Sequence, residues 1–431
     1  METTAIPATL TAVPRRTVPP SPEAAMSTLI ARQPVYDARH QILAWDIDYA
    51  PPLDAGTEPP SADAAAEDVT TLDLLMNALL VVGLERLLGN AFGFLPVTTH
   101  TLLSPTLRLL PPTLVVLTLP ADIVVGEELE RRMEPLQKAG YRFALDGWRA
   151  PGGAAVLLPE LDFVRLDASA LGADGLVPAA AALHAAGFRG VTIVTRLASA
   201  EEACAAQAAG ALGFQGPVFR SPQPVPGSTL DTGRSAALAL IAALNRPEAT
   251  LQDLGRLIRQ DPTLTYKLLR YVGSAYFGLG EVRSVDHALV CLGRVRLRLW
   301  ATLIAMTSAA GERPELVELG LVRAGMCREL LLAEDGDGET GTVAGLLSVL
   351  DLLFGLPLER VLAGLPLGAE LSAALLDHAG PAGRVLALVL AYERGDWDEV
   401  HAAGRDTQVF DAYFAALAQA HEMLGQVAAS Q

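Results

Sequence analysis

Polar and apolar positions along this chain follow two different periods, and the change of period divides it. From Leu29 the pattern is short and strand-like. Leu29 to Tyr36 and Ile42 to Tyr49 predict two strands joined across Asp37-Ala38-Arg39-His40 as a hairpin. An amphipathic helix is predicted over Asp68 to Leu88, with Leu72, Leu75, Leu79 and Val82 on one side. Strand patterns then recur at Phe92 to Val97, Thr113 to Leu119, Tyr141 to Asp146, Phe163 to Asp167, Val191 to Thr195 and Ala211 to Gln215. Helices fit between them, such as Glu127 to Ala139 and Ala200 to Ala209. Repeated strand–helix units imply a parallel sheet covered by helices, open or closed into a barrel.

After a Pro-rich break at Ser221 to Thr229 the period becomes helical throughout. The stretch from Asn245 to Trp300 is the most clearly punctuated part of the chain. Thr250 can cap a helix with Asp253 three residues on, and Leu251, Leu254 and Ile258 share its apolar face. Asp261-Pro262 restarts the chain as N-cap and first helical residue, followed by the stripe Leu264, Leu268, Leu269 and Val272. Ser284 caps a third helix bearing Val285, Ala288, Leu289 and Leu292, which Gly293 closes. A fourth runs through Leu297, Trp300 and Ile304.

The expected organisation is α/β plus all-α. Residues 1–26 are a disordered Pro/Thr/Ala-rich leader, 27–220 an α/β domain, 221–229 a linker and 230–431 a helical domain. A chain of 431 residues can bury two cores. A formal net charge of -17 argues against non-specific nucleic-acid binding and against anionic membranes. Cys204, Cys291 and Cys327 lie far apart with no CxxC or Cys/His metal spacing, and are expected as buried thiols in a reducing cytoplasm. No uninterrupted apolar run of about 18 residues is found, so no membrane span is expected. No apolar core follows Arg15-Arg16, so no secretion signal is expected either.

The order of phrases in the helical half resembles the HDOD domain, a non-catalytic relative of the HD-GYP phosphodiesterases. The matching phrases are Gln260-Asp261-Pro262, Lys267-Leu268-Leu269, Ser274-Ala275-Tyr276-Phe277-Gly278 and Ala288-Leu289-Val290-Cys291-Leu292-Gly293. HD-type hydrolases hold metal on a His…His-Asp…Asp set, and this chain contains no His-Asp dipeptide. By the resemblance, Arg323 lies where the first His would be, and Ser348-Val349 occupies the His-Asp position.

The first half resembles an EAL domain, the barrel that hydrolyses cyclic di-GMP. The resemblance lies in Ala31-Arg32-Gln33-Pro34-Val35-Tyr36-Asp37, Phe143-Ala144-Leu145-Asp146, Val164-Arg165-Leu166-Asp167 and Gly213-Phe214-Gln215-Gly216. Such an enzyme needs carboxylates at strand ends to hold divalent metals that activate water. By the resemblance, the signature Glu is Asp46, the metal-binding Asn is Pro96 and the next Glu is Thr118. The paired aspartates are Asp146-Gly147, the Lys is Arg165 and the late Glu is Thr195, while Asp146, Asp167 and Gln215 are unchanged. Arginine is a poor substitute for lysine in proton transfer, and a few isolated carboxylates cannot neutralise a pair of divalent ions.

Taken together, the resemblance implies a non-catalytic cytoplasmic signalling scaffold of the bacterial EAL–HDOD kind, with no metal or cofactor, acting on other signalling proteins. The alternatives are a cyclic di-GMP receptor without hydrolysis, in which Arg165 and Gln215 supply donors, and a residual phosphodiesterase. Arg294, Arg296 and Arg298 make a basic cluster. Arg294 and Arg298, four apart, share a helix face while Arg296 points away, and they form either a solvated face with ion pairs to this acidic chain or a docking patch for an acidic partner.

Overall fold

A computed structural model shows the chain as a closed barrel followed by a helical domain. It describes residues 29–50, 84–89, 91–99, 101–150, 153–220, 232–244, 246, 250–260, 262–272, 284–311 and 313–429. The expected leader, the linker at 221–229, the Ser274 to Gly278 phrase and most of the helix expected over 68–88 lie outside the described residues.

Eight strands close the barrel in sequence order: β1 (Leu29–Tyr36), β2 (Ile42–Ala50), β3 (Phe92–Pro96), β4 (Val115–Pro120), β5 (Arg142–Asp146), β6 (Phe163–Asp167), β7 (Val191–Thr195) and β8 (Gly213–Phe214). β1 runs antiparallel to both neighbours, β2 and β8, and the remaining pairs are parallel. The β1–β2 hairpin is present as expected, with the Asp37 carboxylate accepting from the amides of Arg39 and Gln41. Outside the barrel stand α1 (Leu84–Leu88), α2 (Glu127–Lys138), α3 (Ala168–Ala185) and α4 (Ala200–Ala208).

The barrel interior is packed. Val35, Ala44, Phe94, Val116, Ala144, Phe163 and Ile193 form an isolated apolar cluster inside it. Side chains alternate faces along a strand. The residues two positions further along β2 to β7 therefore also point inward, one layer nearer the strand ends: Asp46, Pro96, Thr118, Asp146, Arg165 and Thr195. On antiparallel β1 the equivalent residue is Gln33, which pairs in register with Asp46. Period-two geometry alone thus lifts the candidate polar residues into one ring.

The second half comprises α5 (Thr232–Leu244), α6 (Leu251–Gln260), α7 (Pro262–Val272), α8 (Val285–Ala310), α9 (Pro314–Leu332) and α10 (Gly338–Leu347). These are followed by α11 (Leu350–Phe354), α12 (Leu358–Leu362), α13 (Ala369–Leu376), α14 (Gly380–Arg394), α15 (Trp397–Ala402) and α16 (Asp406–Ala429). The Thr250/Asp253 capping box forms as expected. Leu254, Ile258, Leu268, Val272, Ala288, Leu297 and Trp300 are buried. Gly293 (φ 70°, ψ 172°) breaks α8 internally, so the third and fourth expected helices are two segments joined at that residue. Ser348 caps the C-terminus of α10 and Val349 precedes α11, so the Ser348-Val349 pair lies at the break between two helices.

The two halves do not keep separate cores. Apart from the cluster inside the barrel, their buried apolar side chains form one continuous cluster. At the seam Arg32 of β1 stacks on Trp45 at 3.9 Å, donates to the Leu87 carbonyl and pairs with Glu318 of α9. The buried Tyr392 hydroxyl of α14 donates to the Ile30 carbonyl. One sequence expectation is corrected. Only Cys327 of the three cysteines is buried, its thiol pushed up to about 12 by desolvation, whereas Cys204 is exposed. The window 369–394 has the length and hydropathy of a membrane span, but it consists of two helices separated around His378, a non-glycine residue at φ 51°.

Candidate functional site

At the strand-end mouth of the barrel a guanidinium holds the centre. Arg165 Nη1 and Nη2 donate to both carboxylate oxygens of Asp46, at 2.8 and 2.5 Å. Arg165 Nη2 also donates to Gln215 Oε1 at 3.2 Å, and Nε lies 3.3 Å from Asp146 Oδ1. Gln215 Nε2 donates to Asp46 Oδ2 at 2.9 Å. The guanidinium rests on the Phe94 ring, 5.4 Å from its centroid, so the packed layer beneath fixes its height. Burial by itself would lower the arginine pKa. The charges of Asp46 and Asp146 more than offset this and raise it, so Arg165 is a permanent cation.

The metal set that the resemblance implies does not fit here. Both oxygens of Asp46 are engaged by Arg165, and Asp146 Oδ1 faces the same cation. Pro96 offers no side-chain donor atom, and Thr118 Oγ1 is buried without a hydrogen-bond partner. Gly147 sits in a turn at φ 74°, where a side chain would be strained, and its amide donates to the Arg165 carbonyl. Asp167 is turned to another task. It caps α3 through Ser169 and accepts from Arg196, and these bonds hold its carboxyl down at about 2. Thr195 donates to the Leu166 carbonyl at 3.3 Å. Among the described residues no group of three or more His, Cys, Asp or Glu side chains is placed to hold a metal ion.

The helical half repeats the arrangement. Arg323 and Ser348, far apart in sequence, meet: Arg323 Nη1 donates to the Ser348 carbonyl and hydroxyl, each at 3.1 Å. Its Nε and Nη2 donate to the Glu393 carboxylate at 2.9 and 2.8 Å. This pair is deeply enclosed, with side-chain exposures of 7% and 9%. Close helix packing brings Ser348 there. A Cβ on Gly345 would come within 2.4 Å of the Arg323 carbonyl, so α10 can approach α9 only with glycine at that position. Val349 is fully buried and contributes packing.

One cavity of about 910 Å³ joins the two centres. Asp46, Asp146, Arg165 and Gln215 line one wall, and Arg323, Leu390, Glu393 and Arg394 line the other. The seam is sealed beside it. Gln33 Nε2 donates to the Arg394 carbonyl at 3.0 Å. Gly395, at φ 70°, ends α14 in the left-handed conformation, and an added Cβ would meet Asp48 Oδ2 at 2.4 Å. Burial, with Asp46 nearby, raises the Asp48 carboxyl above the usual carboxylate range.

In the basic cluster Arg298 makes an ion pair within the chain. Arg298 is turned into the domain, 16% exposed and 3.7 Å from Glu339, so it is not an open docking patch, whereas Arg296 is exposed. The side chain of Arg294 lies outside the described residues. Sequence reasoning missed Gln33, Asp48, Glu393 and Arg394. Glu393 carried a signal: it lies four residues after Val389 and seven after Leu386 on the buried face of α14. A charge on an apolar stripe asks for a buried partner.

Residues 230–356 match the HDOD domain family. Over nearly its whole length the chain is similar to the uncharacterized protein YuxH of Bacillus subtilis (strain 168), 24% identical over 415 residues, 93% of this chain and 99% of that one. It is also similar to the cyclic di-GMP phosphodiesterase CdgJ of Vibrio cholerae, 27% identical over 401 residues and 90% of each chain. Among solved structures it is similar to BlrP1 of Klebsiella pneumoniae in a manganese and cyclic di-GMP complex, with a TM-score of 0.36 and 17% identity over 47% of this chain and 56% of that one. The FimX EAL domain of Pseudomonas aeruginosa bound to c-di-GMP gives a TM-score of 0.35 and 18% identity over 46% and 92%.

Proposed function

We propose that this chain, an EAL-like barrel joined to an HDOD domain within cyclic di-GMP signalling, acts in the cytoplasm by binding other signalling proteins and not by hydrolysis. The observation that carries this reading is the Arg165 guanidinium between Asp46 and Asp146. This guanidinium takes up carboxylates that the resemblance would give to a metal, and it cannot deliver a bound water to phosphorus. The similarity to a Vibrio protein named as a cyclic di-GMP phosphodiesterase makes that dinucleotide the substrate to test. Purified protein with magnesium or manganese should leave cyclic di-GMP intact. Turnover that disappears in Asp146→Asn would instead establish a residual enzyme.

A second reading, a receptor that binds cyclic di-GMP without hydrolysis, is favoured by the volume of the cavity at the mouth. Arg165 and Gln215 are already satisfied by protein groups. A phosphate would therefore have to compete with Asp46 for Arg165. Calorimetry with the dinucleotide separates the readings, and affinity capture with and without it identifies the protein partners.

A further inference from the structure

We infer that the two arginine centres form one coupled unit, connected by a directional chain of side-chain amides through Gln215 and Gln33. Its consequence is that a change at the barrel mouth is transmitted to the core of the helical domain. The coupling rests on the reading of the mouth as a binding site only for its natural trigger.

The direction of the chain is forced from both ends. Arg165 can only donate and the Asp46 carboxylate can only accept. Gln215 must therefore present Oε1 to Arg165, at 3.2 Å, and Nε2 to Asp46, at 2.9 Å. The same Nε2 donates to Gln33 Oε1 at 3.3 Å. That leaves Gln33 Nε2 to donate to the Arg394 carbonyl at 3.0 Å, an acceptor only. This carbonyl belongs to the last turn of α14, where backbone acceptors lack helical partners. One residue earlier, Glu393 grips Arg323 of α9. Neither amide can flip without setting donor against donor or acceptor against acceptor.

Gln33 also occupies a structural crossing point. It lies opposite Asp46 in the β1–β2 register, and β1 is the strand against which α14 and α16 pack. The α14 end is seated a second time by Asp48 against Gly395, so displacement of β2 reaches the helix by two routes. An anion entering the mouth competes with Asp46 for Arg165. The freed Asp46 draws on Gln215, Gln215 on Gln33, and Gln33 on the helix end that holds Glu393. Gln33 is the positioning residue of this link.

The test is hydrogen exchange on the full chain. Asp46→Asn should accelerate exchange in the last turn of α14 and around Arg323 in α9 by roughly tenfold. In a Gln33→Leu background the same substitution should produce no further acceleration there. Equal acceleration in both backgrounds, or none in either, overturns the coupling. If Asp46→Asn does not fold, Gln33→Glu supplies the second test by setting an acceptor against the Arg394 carbonyl. Faster exchange is then expected both at the α14 end and in β6 around Arg165, and a change confined to α14 overturns the proposal. Neither arm contains cyclic di-GMP, so failure of the receptor reading in calorimetry leaves this result separately readable.

Discussion

The barrel mouth and the helical core solve the same electrostatic problem in different surroundings. Each holds an arginine gripped by a carboxylate. Around Arg323 both partners are nearly covered, with Glu393 9% exposed, although the pair lines the shared cavity. Around Arg165 the cation is equally covered, but its partners Asp46 and Asp146 are 21% and 34% exposed. The carboxylates of the barrel centre are therefore more open to water than that of the helical centre. An enclosed pair acts as an internal fastening, because separating it strands a charge in low dielectric. A pair with wetted partners can exchange its contacts with solvent or a ligand at smaller cost. The difference lies in what covers the carboxylate, not in the arginine.

The sharpest way to break this comparison is at the helical centre. Glu393→Leu should destabilise by about 3–5 kcal/mol, because Arg323 is left buried and unpaired. The double change Arg323→Met with Glu393→Leu should recover much of that loss, and chemical denaturation of the three proteins measures it. A single variant no less stable than the double would show that the pair is not a fastening.

The barrel centre should yield less. Arg165→Met leaves behind Asp46 and Asp146, which are more exposed than Glu393, so a loss of about 1–3 kcal/mol is expected. A loss equal to that of Glu393→Leu in the same denaturation series would erase the proposed contrast between the more open and the more covered centre.

The smallest effect concerns pH, where two carboxylates beside the mouth have opposite signs. Burial raises the Asp48 carboxyl, so its contribution is most favourable when protonated in acid and is lost as pH rises through its folded value. Asp167 is held down at about 2 by Arg196 and Ser169. Its contribution is present above the ordinary carboxylate range and is lost as pH falls toward 2. Arg196 is more than half exposed, which limits that second contribution to a few tenths of a kcal/mol. Asp48→Asn should therefore raise the melting temperature at neutral pH, and the gain should shrink on acidification. A gain that grows in acid would reverse the assigned sign.

Much of this architecture was legible along the chain. Alternation at period two located the strands, because a strand fixes which face each residue takes. Caps and apolar stripes located the helices of the second half, because those signals act over three or four residues. The phrases around Asp46, Asp146 and Arg165 also indicated which positions would share a site. The sequence left open what those residues do to one another. That Arg165 takes both oxygens of Asp46, that Arg298 turns inward to Glu339, and that Glu393 completes the Arg323 centre all depend on contacts between residues distant in sequence. So does the joining of both centres by one cavity, since its walls come from strands and helices more than a hundred residues apart. Local pattern determines which face a side chain takes, because backbone geometry repeats over a few residues. Partner, burial and electrostatic environment are decided only when whole elements pack, because they depend on what arrives from elsewhere in the chain.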